Sequence, residues 1–259
     1  MTSNDKFQTK VNPPVIICVS SGKGGVGKTS FTVNMAAALA HNTKKILLID
    51  GDLGLANADI MLGINVRHTL REIIEEDRDP ADILIEVSPG FHVLPASSGV
   101  PEMAALSYEE QAFLTSTLDG IISRFDYVLV DTAAGIGDSV LWFNNWADEN
   151  IIILSPDPTA MTDAYALIKI LNTRYARTKF YLVLNNVKNQ KEGREVFDNM
   201  SAVLDRFLQI RPVLLGEIPQ DSNVARAVRQ QKPFYLSAPD SKAGRALTAM
   251  AARILDQKP

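Results

Sequence analysis

The sequence predicts a single α/β domain in which a mostly parallel central sheet of seven to eight strands carries helices on both faces. Three observations predict it. Short β-branched runs alternate with longer helical patterns along the whole chain, the mark of repeated strand–helix–strand units. Most of the runs are continuously apolar rather than alternating, as strands covered on both faces are. The 259 residues also suffice for one substantial core, burying roughly 70–75% of the surface an unfolded chain of that size exposes.

The opening "MTSNDKFQTKVNPP" is polar and lacks the apolar stretch of a signal peptide, so residues 1–14 are expected to be a flexible lead-in to one domain spanning 15–259. The first strand is "VIICVS" (15–20), apolar almost throughout, followed by a glycine-rich turn and a helical pattern over 29–41. "KILLID" (45–50) and "HVLPA" (92–96) are the next two strands, with a helical stretch at 69–76 between them. A helix over 107–123 leads to "YVLVD" (127–131), and one over 137–147 leads to "IIILSP" (151–156). The pattern repeats with a helix over 159–176, "KFYLVLNN" (179–186), a helix over 191–209 and "VLLGEI" (213–218), then closes on helices over 221–230 and 240–256. Units of this kind imply right-handed crossovers, with ligands bound beyond the carboxyl ends of the strands.

A hydrophobic fraction of 46% and a charged fraction of 22% are those of an ordinary globular protein. The formal charge of −4 gives no global attraction to nucleic acid or anionic lipid, so no direct nucleic-acid binding and little or no membrane contact are expected. Cys18 is the single cysteine; it cannot form an internal disulfide, and in "VIICVSS" it reads as a buried thiol. A reducing, cytoplasmic setting fits, with peripheral contact at the inner membrane or cell pole left open. No apolar run reaches the ~18 residues of a membrane span.

Residues Gly22 to Thr29 fit G-x-x-x-x-G-K-[ST], with Gly22, Gly27, Lys28 and Thr29 in the fixed places. A chance match in a chain this long is about a 1% event, and here the motif follows a strand and opens a helix. The candidate cradle is Gly22, Gly24, Gly25, Val26, Gly27, Lys28, Thr29 and Ser30. Its backbone N–H groups converge on phosphates, Lys28 supplies a point charge, and the Thr29 hydroxyl ligates Mg²⁺. This is a P-loop NTPase reading.

Two strands end in carboxylates: Asp50 and Asp52 in "LLIDGD", and Asp131 in "YVLVD". Groups there can hold the water shell of Mg²⁺ and orient an attacking water, the tasks phosphoryl transfer leaves to side chains. "LVLNNVKNQ" lacks the Asn-Lys-x-Asp run that guanine specificity calls for, while Asn185, both donor and acceptor, can pair with adenine. ATP is therefore expected rather than GTP.

With Lys23 included, "GKGGVGKT" resembles the deviant phosphate loop of the MinD/ParA class of ATPases. "DGDLGLANADIMLG", "VDTAAGIGDSVLWF" and "PTAMTDAYALIKIL" narrow the resemblance to the FlhG/FleN family of flagellar number regulators, from about Val15 to the last helix. The resemblance implies a slow Mg²⁺-dependent ATPase switch, monomeric until ATP brings two copies together, with Lys23 reaching the phosphates held by the other subunit. It implies that Asp52 orients or activates the hydrolytic water, that Asp50 and Asp131 organise Mg²⁺, and that Asn185 contacts adenine while Pro219 and Asp221 line the base. It also implies a flagellar transcription activator and the GTPase FlhF as partners, with Arg174 and the helix around it on a partner-facing surface.

Some residues depart from that family. Asp157 stands where a glutamate is common, and no amphipathic membrane helix follows the last helix, whose Ala243, Leu247, Met250, Ala251 and Ile254 read as a core face. A MinD-type division-site regulator and a ParA-type DNA segregation ATPase are the alternatives. Iron–sulfur carriers with the same loop need interfacial cysteines that this chain lacks.

Overall fold

The computed structural model describes residues 13–100, 103 and 105–256; the lead-in expected over 1–14 falls, up to residue 12, outside them. The described residues form one eight-stranded sheet with helices on both faces. β1 (Val15–Ser21) and α1 (Lys28–His41) come first, then β2 (Ile46–Gly51), the short helices α2 (Ala58–Leu62), α3 (Leu70–Glu76) and α4 (Pro80–Ile83), and the pair β3 (Ile85–Ser88) and β4 (Phe91–Leu94). The second half alternates α5 (Tyr108–Ile122), β5 (Tyr127–Ala134), α6 (Asp138–Trp146), β6 (Glu149–Leu154), α7 (Pro158–Tyr175), β7 (Tyr181–Val187), α8 (Gln190–Leu208) and β8 (Val213–Pro219). It closes on α9 (Ser222–Arg229), α10 (Phe234–Ser237) and α11 (Lys242–Asp256).

The strand order is β3-β4-β2-β5-β1-β6-β7-β8, and every neighbouring pair is parallel except β3–β4. The expected α/β architecture is thus the observed one. β3 is the strand the sequence pattern missed: it is four residues long at an open edge, and Glu86 interrupts its apolar character. Pro89 and Gly90 turn the chain back into β4, with Gly90 at φ 80, a conformation glycine adopts freely.

Alternate residues of each strand feed different cores. Ile17 and Val19 pack with α1 and α11, whereas Ile16 and Cys18 face the side of α3, α5 and α6. Cys18 is wholly buried, and burial pushes its thiol up to about 12. A third cluster joins Ile152, Leu154, Leu182 and Leu184 to the inner faces of α7 and α8.

Side-chain caps begin most of the longer helices. Ser107 and Glu110 close a capping box on α5, and Asp157, Asn189 and Asp221 cap α7, α8 and α9. The α11 face Ala243, Leu247, Met250, Ala251 and Ile254 is buried, as its spacing predicts. No helix among the described residues is long and apolar enough to cross a membrane.

Candidate nucleotide site

β1 lies at the point where the connections turn to opposite sides, between β5 and β6, and the loop after it occupies the crevice such sheets offer to ligands. Gly25 and Gly27 take φ 78 and 89, values a side chain strains against. Gly22 is required for a different reason. A Cβ there would lie 2.1 Å from the carbonyl carbon of Asp163 and 2.5 Å from the nitrogen of Ala164, so the loop is pressed against the α7 backbone. At Gly24 and Gly25 an added Cβ would meet nothing within 4 Å. Val26 is buried and anchors the loop, while Gly24 and Gly25 are exposed above open space.

The helix that begins at Lys28 carries the charged groups of the site. Lys28 Nζ donates to Asp131 Oδ1 at 3.2 Å, with both side chains almost wholly buried. Thr32, one turn along α1, donates its hydroxyl to the same Oδ1 at 3.0 Å. Thr29 and Ser30, half-buried, stand at the open end of the helix. Thr32 is a site neighbour that sequence reasoning missed; its spacing of four from the loop lysine is the signal that places it on the same helix face.

Asp50 and Asp131 are register partners on adjacent parallel strands, so backbone pairing alone sets them side by side. Burial, then the neighbouring Asp131 charge, pushes the Asp50 carboxyl up to about 7, against the pull of the backbone donors on it. Its Oδ1 accepts from Asp52 N, and its Oδ2 from Asn57 N and Ala58 N, each at 3.1 Å. Asp50 therefore shapes the loop after β2. Asp52 sits in that loop, half-exposed, with Oδ1 accepting from Leu55 N at 3.1 Å. Burial raises its carboxyl above the usual range. Asp52, Leu55, Ala133 and Ser139 line a cavity of about 390 Å³ that opens between the β2 and β5 loops.

Lys23 points the other way, toward α7. Its Nζ lies 3.4 Å from Asp157 Oδ2 and donates also to Thr159 Oγ1, at a rim where Lys23 and Asp157 are 40% and 46% exposed. The Thr159 hydroxyl first, then the Ala160 and Thr159 N–H groups, hold the Asp157 carboxyl down to about 2.

The predicted base contacts lie at the ends of β7 and β8. Asn185 Nδ2 donates to the Val26 carbonyl at 2.7 Å and Oδ1 accepts from Asn186 N at 2.9 Å, so Asn185 braces the underside of the phosphate loop. Pro219 pairs in register with Val187 at the end of β8. Asp221 Oδ1 accepts from Asn223 N at 2.9 Å and Oδ2 from Ala243 N at 3.1 Å, tying the starts of α9 and α11 together. Partial burial works against its ionisation, but these donors outweigh it and lower the carboxyl's pKa. Arg174 is exposed on the last turn of α7, whose inner face (Ala160, Ala164, Leu167, Ile168 and Leu171) packs on the sheet.

Behind the loop, Asn144 Nδ2 donates to Ser20 Oγ at 2.7 Å, and Ser20 Oγ lies 3.0 Å from Thr132 Oγ1. This buried network links β1, β5 and α6.

The donor set fits a magnesium nucleotide. Among the described residues no group of three or more His, Cys, Asp or Glu could hold a metal by itself. Mg²⁺ in phosphoryl-transfer sites takes one or two protein oxygens and completes its shell with phosphates and water. The Thr29 hydroxyl and the Asp50–Asp131 pair, beside a loop whose Gly24 and Gly25 leave its exposed face open, are oxygens of the kind such an ion takes.

The sheet order and the loop together define a P-loop NTPase. The ParA family profile, described as NUBPL iron-transfer P-loop NTPase, matches residues 12–255, and the chain belongs to that family. The antiactivator FleN of Pseudomonas aeruginosa is 41% identical over 249 residues, which cover 96% of this chain and 89% of FleN. The flagellum site-determining protein YlxH of Helicobacter pylori is 31% identical over 252 residues, or 97% of this chain and 85% of YlxH. Among solved structures, the MinC:MinD cell division protein complex of Aquifex aeolicus matches with a TM-score of 0.76 at 25% identity, over 95% of this chain and 97% of that one. The resemblance to MinD/ParA ATPases, and within them to FlhG/FleN, is borne out. The single cysteine is buried inside β1, so this chain presents no thiolates for a bridging cluster.

Proposed function

We propose that this chain is an ATP-dependent dimerisation switch that sets flagellar number or placement by capturing a flagellar transcription activator and the GTPase FlhF. The observation that carries the switch is Lys23: a cation beside the phosphate loop, half-exposed at the rim and turned toward α7, while Lys28 fills the loop's own need for one. Two nucleotides facing each other across a dimer concentrate negative charge, and a cation from each partner offsets it. The flagellar part is supported by the likeness to FleN, named an antiactivator, and YlxH, named a flagellum site-determining protein.

In this reading the loop N–H groups and Lys28 hold the phosphates of ATP, and Lys28 exchanges its contact with Asp131 for them. Thr29 would hold Mg²⁺, with Asp50 and Asp131 ordering its water. When bound, the ion offsets phosphate charge. Asp52 orients the attacking water, its carboxylate steadied by Leu55 N. Pro219 and Asp221 line the base, and Asn185 reaches adenine by giving up its Val26 or Asn186 contact. The protein acts in the cytoplasm, with any membrane or polar contact peripheral.

Size-exclusion with light scattering, in ATP and Mg²⁺ at tens of micromolar, tests the switch. Asp52→Ala is expected to run as a dimer with ATP, whereas Lys23→Gln is expected to bind ATP yet stay monomeric. A monomeric Asp52→Ala protein overturns the switch. A pull-down from extract with ATP-loaded Asp52→Ala against an ADP-bound control tests the partners. Recovery of a MinC-like division protein in place of flagellar proteins would replace the flagellar reading with the division reading that the Aquifex complex exemplifies.

A further inference from the structure

We propose that the groove along the outer flank of β8 docks a short acidic segment of a partner protein. β8 is the last strand of the sheet, paired on one side with β7 and, among the described residues, with no strand on the other, and β6 and β7 separate it from β1 and the phosphate loop. It is seven residues long, against four for the opposite edge β3. A long open edge exposes backbone groups and invites unwanted pairing, so it needs cover. α8 lies over one face of the sheet at this edge and α11 over the other. Between them runs a groove of about 630 Å³, within the size range of ligand-binding clefts.

Its lining is cationic in a chain whose net charge is −4. Lys191 and Arg194 project from the first turns of α8 and Arg253 from α11, against the single acid Glu217 on β8. Glu217 is turned into the α8 wall: a Cβ at Gly193 would lie 2.6 Å from its Oε1. Among the described residues Arg194 has no hydrogen bond and no ion pair within 4.0 Å, though its charge acts on Glu217, and Lys191 has a loose contact with Glu195 at 3.8 Å, at 86% and 63% exposure. Such a pair contributes little. Arg253 donates one N–H to the Leu215 carbonyl, which shields the edge from strand addition and leaves most of its guanidinium donors facing the groove.

The occupant that matches is therefore a segment whose carboxylates meet three cations, not an added strand and not a basic or apolar peptide. Ala249 is a short side chain in the lining, and Met250 packs directly on Gly216, where a Cβ would meet it at 2.5 Å. Charge complementarity of this kind sets specificity and encounter rate more than raw affinity, so the interaction is expected to be salt-sensitive.

Fluorescence anisotropy with a fluorescein-labelled octapeptide of alternating Glu and Thr, in low salt, tests the groove on the full chain. Saturable binding is expected, weakened at least tenfold by Lys191→Glu with Arg194→Glu. Arg253→Gln should weaken it several-fold, and Lys45→Glu, exposed just before β2, less than twofold. Lys191 and Arg194 are exposed, so the double variant should melt with the parent protein, and its ATP-dependent dimerisation should be unchanged, which separates this proposal from the switch. Peptide binding unchanged in the double variant, no binding in the parent protein, or tighter binding of an equally charged single-stranded oligonucleotide overturns it.

Discussion

The two lysines of one loop live in opposite surroundings. Lys28 is sealed in and paired with Asp131 at 3.2 Å, with side-chain exposures of 8% and 2%. Lys23, five positions earlier, lies at a rim where it and Asp157 are 40% and 46% exposed. A buried ion pair is costly to break because one charge is left without a partner, whereas an exposed pair is worth little and can be exchanged cheaply. Lys28 is thus part of the fold, and Lys23 is free energetically to change partner.

Breaking the buried side should have the largest effect. Lys28→Ala leaves Asp131 beside Asp50 with only the Thr32 hydroxyl as donor, and is expected to destabilise by about 3–5 kcal/mol. Thermal melting without nucleotide should record a fall of ~10 °C; a fall below ~3 °C would mean the pair is relaxed by water or proton uptake. Gly22→Ala comes next, since its Cβ collides with α7 backbone that cannot rotate away. A loss of about 1–3 kcal/mol in denaturant titration is expected.

The rim side should respond least. Lys23→Gln should change stability by under about 1 kcal/mol, with its consequence confined to dimerisation. The Asp157 carboxyl is held down to about 2 by Thr159 and Ala160, so its contribution is present above the ordinary carboxylate value and is lost as pH falls through about 2. Carbon-detected NMR titration of Asp157 should give a midpoint near that value in the parent protein, and one closer to the ordinary carboxylate value in Thr159→Val.

Seven of the eight described strands were legible because most are continuous apolar runs ending in a polar residue or turn. β3 was not, since "IEVS" is short and carries a charge; the Pro89–Gly90 turn was the sign to read. The short helices α2, α4 and α10 are likewise too brief to show a period. The phosphate loop and the carboxylates at the ends of β2 and β5 were legible as local motifs. Their partners were not. That Lys23 meets Asp157, or that Asn185 holds the Val26 carbonyl, depends on β6 lying beside β1 and β7 beside β6, and residue spacing does not encode strand order.

The pairing of Asp50 with Asp131 is written in the backbone ladder between β2 and β5. Loops before and after these strands can lengthen or shorten without moving the two carboxylates relative to each other. One residue inserted within β2 ahead of Asp50 would instead turn every following side chain to the opposite face of the sheet. The ladder acts as a ruler with two-residue gradations, and it sets the two carboxylates by strand register rather than by the length of chain between them.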